Sequence, residues 1–412
     1  MSLKLFREAL AGRERLPRMW RQHALKDSYD AVIIGGGAHG LACAYYLAKD
    51  HGLTNVAVVE KTYIGSGGSG RNTAIVRSNY LTPEGVRFYN ASLTLYEDLA
   101  RDLDFNVMLG QRGHLTLAHS DSSVITMRRR AETNRLVGVD SRLISPQEIA
   151  KLCPDLDLSD RPRYPILAAL YHPPGGIIRH DAVVWGYAHQ ADARGVHIHQ
   201  NTAATGIDVE NGKVTGVRTT QGRIKTDTVL NATAGWGTII SDMAGVKLPM
   251  LTRPLQAFVT EPLKPFLNVV IVSGSLHAYI SQSDRGELVC GGSVDPYASY
   301  SMNSSLDFLE GLAGHLLALF PCLPKVKVLR QWAGLCDMTV DYSPIMGKTP
   351  VEGFHIDLGW GTYGFKASPI CGKTLAELLA TGRTPDLIRP FRLSRFAEHD
   401  LVGEGGAASV GH

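Results

Sequence analysis

The pattern of apolar and polar positions changes period twice between residues 29 and 61. The segment YDAVIIGGG is a continuous apolar run, AHGLACAYYLAKDHG carries apolar residues at helical spacing, and TNVAVVEK is a second apolar run that ends on an acid. Strand, glycine turn, helix and strand in this order form a βαβ unit. Because the strands of such a unit are parallel, this part of the chain predicts an α/β domain built on a parallel sheet.

The elements after residue 61 alternate less regularly. Residues 65–80 begin as a glycine-serine loop and continue into β-like sequence, 86–103 indicate a helix, 107–119 a pair of strands, and 122–153 helical structure. Short strands are then predicted at 196–199, 204–209, 213–219 and 222–230, followed by antiparallel strands over 251–300, a helix at 304–320 and a strand near 326–335. The chain closes with a strand, a glycine-rich turn and a helix.

Residues 35–40, GGGAHG, satisfy the G-x-G-x-x-G fingerprint between the first apolar strand and the following helix, and Glu60 stands twenty residues beyond Gly40. Gly35 suits the tight turn, Gly37 allows the backbone to approach a pyrophosphate, and Gly40 permits close helix–strand packing. An acid at the end of the second strand can accept hydrogen bonds from ribose hydroxyls. The predicted nucleotide contacts are Gly35, Gly37, Ala38, His39, Gly40 and Glu60.

The distribution of glycine favours FAD over a nicotinamide cofactor. Ligand-like glycine segments occur at 35–40, 65–73 and 359–364, near both ends of the chain. A long dinucleotide that reaches from a βαβ unit to a distant C-terminal turn requires such an arrangement. A nicotinamide dehydrogenase, which usually completes its nucleotide site within one contiguous domain, is the weaker alternative.

Composition excludes several other classes of protein. The 412 residues are 44% hydrophobic and 20% charged with a net charge of +3, which is typical of a globular protein and too balanced for a nucleic-acid partner. The six cysteines include no C-x-x-C pair, which argues against a zinc site and against a disulfide framework. Since neither a long apolar run nor a secretory h-region is present, a cytoplasmic protein without a membrane partner is expected.

Ordered motifs along nearly the whole chain are similar to one flavoprotein family. They include RNTAIVRSNYL, NVMLGQRGHLTLAHS, RHDAVVWGYA, HAYISQSDRGELV, GWGTYGFKASP and the tail GEGGAASVGH. Together with the fingerprint segment, they resemble the sarcosine oxidase branch of the D-amino-acid-oxidase-like flavoproteins, and within it the β subunits of the heterotetrameric enzymes. The resemblance implies an FAD-dependent amine oxidoreductase.

The resemblance also assigns cofactors and site residues. It implies a non-covalent FAD and an FMN bound covalently through His180, a residue that by its type alone would be interpreted as a solvated or capping histidine. It implies that Arg77 and Lys366 hold the substrate carboxylate, a role that the cost of burying an unpaired charge makes reasonable. The further cofactor contacts that it implies are Arg71, Thr73, Ala204, Gly361, Gly364 and Lys366.

The implied reaction is oxidation of the N-methyl group of a small secondary amino acid to an imine, with electrons passing from FAD to FMN and then to oxygen. The implied partners are α, γ and δ subunits, one of which uses tetrahydrofolate. This chain has SGRNTA, GWGTYGFK and TPEGV where the family usually differs, and Tyr363 adds bulk beside the substrate end. A longer substrate, as in the related N-methylglutamate dehydrogenases, therefore remains an alternative, as does a flavin electron-transfer subunit without its own substrate site.

These observations predict an α/β (α+β) fold in which a Rossmann-like FAD-binding domain carries an inserted antiparallel-sheet substrate domain. The expected segments are an N-terminal arm for docking on a partner at 1–28, FAD-binding segments at 29–110, 176–250 (with His180) and 336–412, and substrate-domain segments at 111–175 and 251–335.

Overall fold

The computed structural model describes residues 18–405 and, before them, residues 7, 9 and 10. Most of the predicted N-terminal arm and residues 406–412 of the tail motif therefore lie outside the described residues. The described end of the arm packs on its own chain, where Arg21 and His23 both pair with Asp192 at 3.0 and 2.7 Å.

Helices and strands alternate along the described chain. The helices are α1 (Ala38–His51), α2 (Gly68–Arg71), α3 (Pro83–Asp102), α4 (Asp121–Leu136), α5 (Pro146–Leu152), α6 (His180–Ala193), α7 (Gly237–Met243), α8 (Leu306–Leu319) and α9 (Ser368–Thr381). The strands are β1 (Ala31–Ile34), β2 (Val56–Val59), β3 (Ile75–Val76), β4 (His114–Ala118), β5 (Arg142–Ile144), β6 (Ala168–His172), β7 (Gly176–Ile177), β8 (His197–His199), β9 (Ala204–Glu210), β10 (Lys213–Thr219), β11 (Gly222–Lys225), β12 (Val229–Asn231), β13 (Met250–Pro262), β14 (Val270–Ser273), β15 (Ala278–Gln282), β16 (Glu287–Val294), β17 (Val328–Thr339), β18 (Ile345–Lys348) and β19 (Phe354–Leu358). None of these helices has the length and apolarity needed to cross a bilayer.

A six-stranded sheet in the order β18-β19-β12-β1-β2-β8 carries the nucleotide fingerprint. Strand β1 pairs in parallel with both β2 and β12, and only β18 runs antiparallel to its neighbour. All residues of β1 and β2 are buried, as expected for a parallel strand covered on both faces. The predicted βαβ unit and parallel sheet are confirmed.

Helix α1 packs closely against α9, the last helix of the described chain. A Cβ atom placed on Gly372 in α9 would lie 2.4 Å from the Cβ of Ala42 in α1, so the two backbones approach each other at a glycine. This contact brings the C-terminal glycine turn, which precedes α9, next to the fingerprint turn, which precedes α1.

An eight-stranded sheet faces the first sheet across the ligand cavity, in the order β17-β13-β16-β15-β14-β4-β6-β5. Its strands come from two separated parts of the chain, residues 114–172 and 250–339. Residues 251–300 form antiparallel strands as predicted, but they do not form a sheet of their own. Strand β14 runs parallel to β4, which joins the two parts into one sheet.

Two predicted elements in the first half of the chain are wrong in detail. Residues 107–119 contain one strand, β4, rather than a pair, because Met108 and Gly113 adopt positive φ values of 54° and 99° that interrupt an extended chain. The expected helical region 122–153 is divided into α4 and α5 by β5. A capping box between Ser145 and Glu148 starts α5 anew.

Two further departures concern short elements. The predicted loop at the start of 65–80 contains the one-turn helix α2. The predicted strand 222–230 is two strands in different sheets, since β11 pairs with β10 and β12 pairs with β1. Residues 226–228 between them turn the chain from one sheet to the other, with the Thr226 hydroxyl 3.2 Å from the Thr228 carbonyl.

Candidate functional site

Residues from both ends of the chain line one cavity of about 400 Å³ between the two large sheets. The fingerprint turn, the loop around α2 and the C-terminal turn before α9 all contribute to its wall. The predicted site residues that line it are Gly35, Gly37, His39, Glu60, Arg71, Thr73, Arg77, Ala204, Gly361, Gly364 and Lys366. Three others, Ala38, Gly40 and His180, are not among its lining residues.

The fingerprint glycines are required by close backbone contacts. Gly35 has a φ of 115°, and a Cβ atom there would lie 2.4 Å from the carbonyl oxygen of Ala232 at the end of β12. A Cβ atom on Gly40 would lie 2.1 Å from the Gly35 carbonyl oxygen. Gly40 therefore serves the packing of α1 against the turn, and the amide of Ala38 donates to Ser69 Oγ at 2.9 Å.

One wall of the cavity combines Glu60 with a lysine and a tryptophan. The Glu60 carboxylate accepts hydrogen bonds from the amides of Gly36 and Thr62, each at 3.0 Å, which fixes it at the end of β2. The Nζ atom of Lys61 lies 3.5 Å from the centre of the Trp236 ring, and both residues line the cavity. These two residues were not predicted, although a lysine directly after the strand-end acid was a usable signal.

Two cations, the buried Arg77 and the partly buried Lys366, also line the cavity. Arg77 is 7% exposed and donates from Nη1 to the carbonyl and side-chain oxygens of Asn79, both at 3.0 Å. Burial, together with the Arg77 charge, lowers the pKa of Lys366 to about 7. Because both side chains line the cavity, they offer positive charge to an anion in a poorly solvated setting.

His39 joins the fingerprint helix to the C-terminal turn. Its Nδ1 lies 2.8 Å from a carboxylate oxygen of Asp357, and its Nε2 lies 2.7 Å from the carbonyl oxygen of Gly364. Burial lowers the pKa of His39, but Asp357 and the Gly364 carbonyl outweigh that effect and leave the pKa raised. Since both partners accept hydrogen bonds, both ring nitrogens must donate, and the ring is an imidazolium.

The same histidine belongs to a group whose residue types suit a metal. The side-chain ligand atoms of His39, Asp357 and Cys371 lie within 4.8 Å of one another. Hydrogen bonds already engage both imidazole nitrogens. Burial also raises the pKa of the Cys371 thiol well above its usual value, so the sulfur is protonated. The group does not fit a metal ion, and the absence of a metal site stays a prediction.

Tyr363, another residue of the cavity wall, is held by the C-terminal segment. Tyr363 is 3% exposed, lines the cavity, and donates its hydroxyl to the carbonyl oxygen of Glu404 at 3.2 Å. The Glu404 carboxylate accepts from the amides of Leu81 and Thr82 at 3.0 and 2.9 Å, at the start of α3. Tyr363 therefore adds bulk to the cavity wall, and its hydroxyl is engaged by the protein.

His180 lies behind the cavity wall rather than in it. It is the first residue of α6, and its ring lies 6.5 Å from the ring of Phe365, which does line the cavity. Burial lowers the pKa of His180, so its imidazole is neutral and one nitrogen keeps a free lone pair. The flanking residues Arg179 and Asp181 form an ion pair with each other, with Nη2 and Oδ2 2.6 Å apart.

Comparison with known proteins identifies the family. Residues 30–378 match the model of the FAD dependent oxidoreductase family. The chain is 47% identical to sarcosine oxidase subunit beta of Rhizobium meliloti (98% of this chain, 97% of the relative) and 44% identical to that of Rhodobacter capsulatus (98% of each). It also resembles the solved structure of L-proline dehydrogenase from P. horikoshii, with a TM-score of 0.86, 30% identity, and coverage of 92% of this chain and all of that one.

These matches confirm the family predicted from the sequence motifs. Nearly all of each subunit beta relative is covered. The chain therefore belongs to the FAD-dependent oxidoreductases and, within them, to the sarcosine oxidase β subunits, a family of flavin-dependent amine oxidoreductases.

Proposed function

We propose that the chain is the FAD-binding subunit of a multi-subunit, cytoplasmic enzyme that oxidises the N-methyl group of a small secondary amino acid to an imine. The observation that carries this proposal is the presence of two cations, the buried Arg77 and the partly buried Lys366, in the wall of a cavity that also includes the nucleotide fingerprint. A cavity that combines a dinucleotide site with a carboxylate site suits an amino acid substrate.

The residues present fit FAD. The Gly35–Gly37 turn leaves room for a pyrophosphate at the start of α1, and Glu60 is held with lone pairs available for ribose hydroxyls. The C-terminal turn at Gly361–Gly364 supplies the adjoining wall, and its Gly364 carbonyl oxygen is hydrogen-bonded to His39. When bound, FAD supplies the two-electron oxidation of the C–H bond next to the substrate nitrogen.

The two cations have two roles toward the substrate. They neutralise its carboxylate, which fixes the orientation of the rest of the molecule in the cavity. Their positive charge also disfavours the protonated form of a nearby amine, because like charges in a buried site lower an amine pKa. The neutral amine is the form from which oxidation proceeds, so Arg77 and Lys366 favour the reactive state of the substrate.

The proposal includes a covalent FMN on His180 and oxygen as the final electron acceptor. A neutral imidazole nitrogen with a lone pair, held at the start of α6, is chemically suited to bond to a flavin methyl carbon. One methyl C–H bond would be broken, and its electron pair would pass to the flavin ring, which oxygen would reoxidise. His180→Ala should remove flavin from the denatured polypeptide while FAD is retained by the native protein. In-gel flavin fluorescence tests this, and fluorescence that persists in the variant would refute the attachment site.

Anaerobic titration of the purified enzyme tests the activity itself. Addition of sarcosine or N-methylglutamate should bleach the FAD absorbance, and the more effective of the two identifies the substrate length that the site accepts. An FAD spectrum that neither compound changes would favour an electron-transfer subunit whose substrate binds elsewhere.

Partner subunits are the remaining part of the proposal. The subunit beta relatives are named as parts of larger enzymes, and we expect α, γ and δ subunits, with tetrahydrofolate bound on a partner. Expression of the tagged chain in its native host, followed by mild purification, should recover these subunits in fixed ratio. Recovery of this polypeptide alone, with full activity, would contradict the proposed multi-subunit assembly.

A further inference from the structure

His114 is a buried cavity residue whose ring nitrogens have no hydrogen-bond partner in the described part of the chain. It is the first residue of β4, it is 1% exposed, and it lines the cavity. Within residues 18–405, neither Nδ1 nor Nε2 of its ring has a hydrogen-bond partner. Buried imidazole nitrogens nearly always find partners, so a ligand in the cavity is the natural candidate.

The neighbouring buried histidine, in contrast to His114, does have hydrogen-bond partners. His172 lies directly opposite His114 in the antiparallel pair of β4 and β6. The Nδ1 atom of His172 donates to the Asp140 carbonyl oxygen at 2.7 Å, and its Nε2 accepts from the Ser78 amide at 3.2 Å. The imidazoles of His114 and His172 are therefore equally buried, but only that of His114, which lines the cavity, has no hydrogen-bond partner among the described residues.

The surroundings keep His114 neutral. Burial first, and then the charges of Arg77, Arg130 and Lys366, hold its pKa well below the usual range. A neutral imidazole offers one N–H donor and one acceptor nitrogen. It has no charge with which to bind a second carboxylate, but it can accept a hydrogen bond from an amine.

The orientation of the strand places this acceptor on the cavity side of the sheet. Successive side chains of β4 point to opposite faces. Leu115 and Leu117 pack in the apolar core behind the sheet, so His114 points the other way. In the paired strand β14, Val272 also lines the cavity, which confirms that this face of the sheet is the cavity wall.

We propose that His114 is a substrate-binding residue whose acceptor nitrogen receives the N–H of the substrate amine, while Arg77 and Lys366 hold the carboxylate. The inference rests on the proposed function, because it assumes that an amino acid occupies this end of the cavity. In this arrangement, the positive charges of Arg77 and Lys366 bind the carboxylate of the substrate, and the neutral acceptor nitrogen of His114 binds its amine.

A matched pair of ligands tests the inference. Pyrrole-2-carboxylate and 2-furoate have nearly the same shape and the same carboxylate, but only the pyrrole has an N–H. We expect the purified flavin-containing enzyme to bind the pyrrole more tightly by about three- to tenfold, the usual effect of one hydrogen bond. Isothermal titration calorimetry measures both dissociation constants.

Two variants of His114 then test whether this residue causes the preference for the pyrrole. His114→Phe should bring the ratio of the two dissociation constants close to one with little change for 2-furoate, whereas His114→Gln, which keeps an acceptor, should retain a preference for the pyrrole. A ratio unchanged in His114→Phe would overturn the proposal, since water rather than substrate would then satisfy the imidazole. If His114→Phe does not fold, His114→Leu replaces it. A ratio of the two dissociation constants near one in the wild-type enzyme would overturn the proposal without any variant.

The same titrations separate this inference from the proposed function. If the wild-type enzyme binds neither ligand, the carboxylate site at Arg77 and Lys366 is wrong, and the proposed function fails with it. If both ligands bind with equal affinity, the carboxylate site stands and only the role of His114 is wrong.

Discussion

At the scale of single residues, burial determines the charge of Lys366 and with it the binding of anions. Its pKa is lowered to about 7, so the ammonium form is present below that pH and is lost above it. We therefore predict that the affinity for 2-furoate falls as the pH rises above about 7. Because a bound carboxylate stabilises the ammonium, the decline should extend gradually over the alkaline range. Calorimetric titrations between about pH 6 and 9 measure it.

Substitutions at the same position provide the control. Lys366→Met should weaken binding at low pH and remove most of the pH dependence, because no titrating cation remains at that position. Lys366→Arg, whose charge persists throughout this range, should keep the affinity at high pH. An equally steep pH dependence in Lys366→Met would assign the effect to another group.

His39 gives a second prediction at this scale, on stability. Its folded-state pKa is raised, so the stabilisation that it provides is complete below its unfolded pKa of about 6.5 and is lost as the pH rises through the folded value. Above that value one of its two acceptor partners loses its hydrogen bond. We expect His39→Asn to lower the free energy of unfolding at pH 6 by about 1.5–3 kcal/mol, the range for hydrogen bonds to charged groups.

Chemical denaturation of both proteins at pH 6 and pH 9 measures the effect. The difference between wild type and variant should be smaller at the higher pH. If wild type and variant differ in free energy of unfolding by the same amount at both pH values, the charge of the imidazolium does not stabilise the protein, and only the packing of the ring does.

Residue roles could be predicted where they rest on local spacing. The fingerprint glycines and Glu60 were identified from their spacing, and all but Gly40 and Ala38 of the fingerprint set line the cavity. Arg77 and Lys366, in contrast, were assigned through the family resemblance. The partners of His39 could not be predicted, because Asp357 and Gly364 lie more than three hundred positions away along the chain. His114 carried no local signal either, since its significance is the lack of a partner in the folded protein.

At the scale of elements, the contact between α1 and α9 decides how the two glycine turns meet. Alanine favours a helix over glycine by up to about 1 kcal/mol. At Gly372, however, the added Cβ would lie 2.4 Å from that of Ala42, and overpacking of this kind costs about 1–3 kcal/mol. We predict that Gly372→Ala destabilises the protein despite the gain in helix propensity.

Gly314 provides a matched control for this prediction. It also lies inside a helix, α8, but it is exposed, and a Cβ atom added there would meet no described atom within 4 Å beyond its own stretch of helix. Gly314→Ala should therefore raise the unfolding midpoint, while Gly372→Ala lowers it and weakens FAD binding. Denaturant titration of both variants tests the pair, and a stabilising effect at Gly372 would show that α1 and α9 can move apart at little cost.

The elements themselves were predicted best where hydrophobic periodicity was strong and continuous. The βαβ unit and the helix at 86–103 were identified correctly, and the latter is α3. The region 122–153 was not divided correctly because its helices are weakly amphipathic, with α4 mostly polar along its length. Its boundaries were nevertheless encoded locally, since both α4 and α5 begin with a capping box, at Ser120 and Ser145.

At the scale of the whole molecule, the ligand cavity depends on two sheets that are assembled from separated parts of the chain. The parallel sheet combines strands between residues 31 and 358, and the other sheet combines residues 114–172 with 250–339. Periodicity cannot reveal which strands from distant segments become neighbours, because strand pairing over such separations leaves no local pattern. The joining of β4 to β14 in parallel was for this reason visible only in the structure.

Because both sheets line the cavity, FAD should stabilise the molecule as a whole. Binding to the folded state alone adds about 2.7 kcal/mol when the free ligand is at a hundredfold excess over Kd. We predict that removal of FAD lowers the melting temperature and that added FAD restores it in a concentration-dependent way. FMN lacks the adenosine half that we propose reaches Glu60, so at the same concentration it should restore little. If FMN were as effective as FAD, the wall around Glu60 would contribute nothing to binding, and the extended position proposed for the dinucleotide would be wrong.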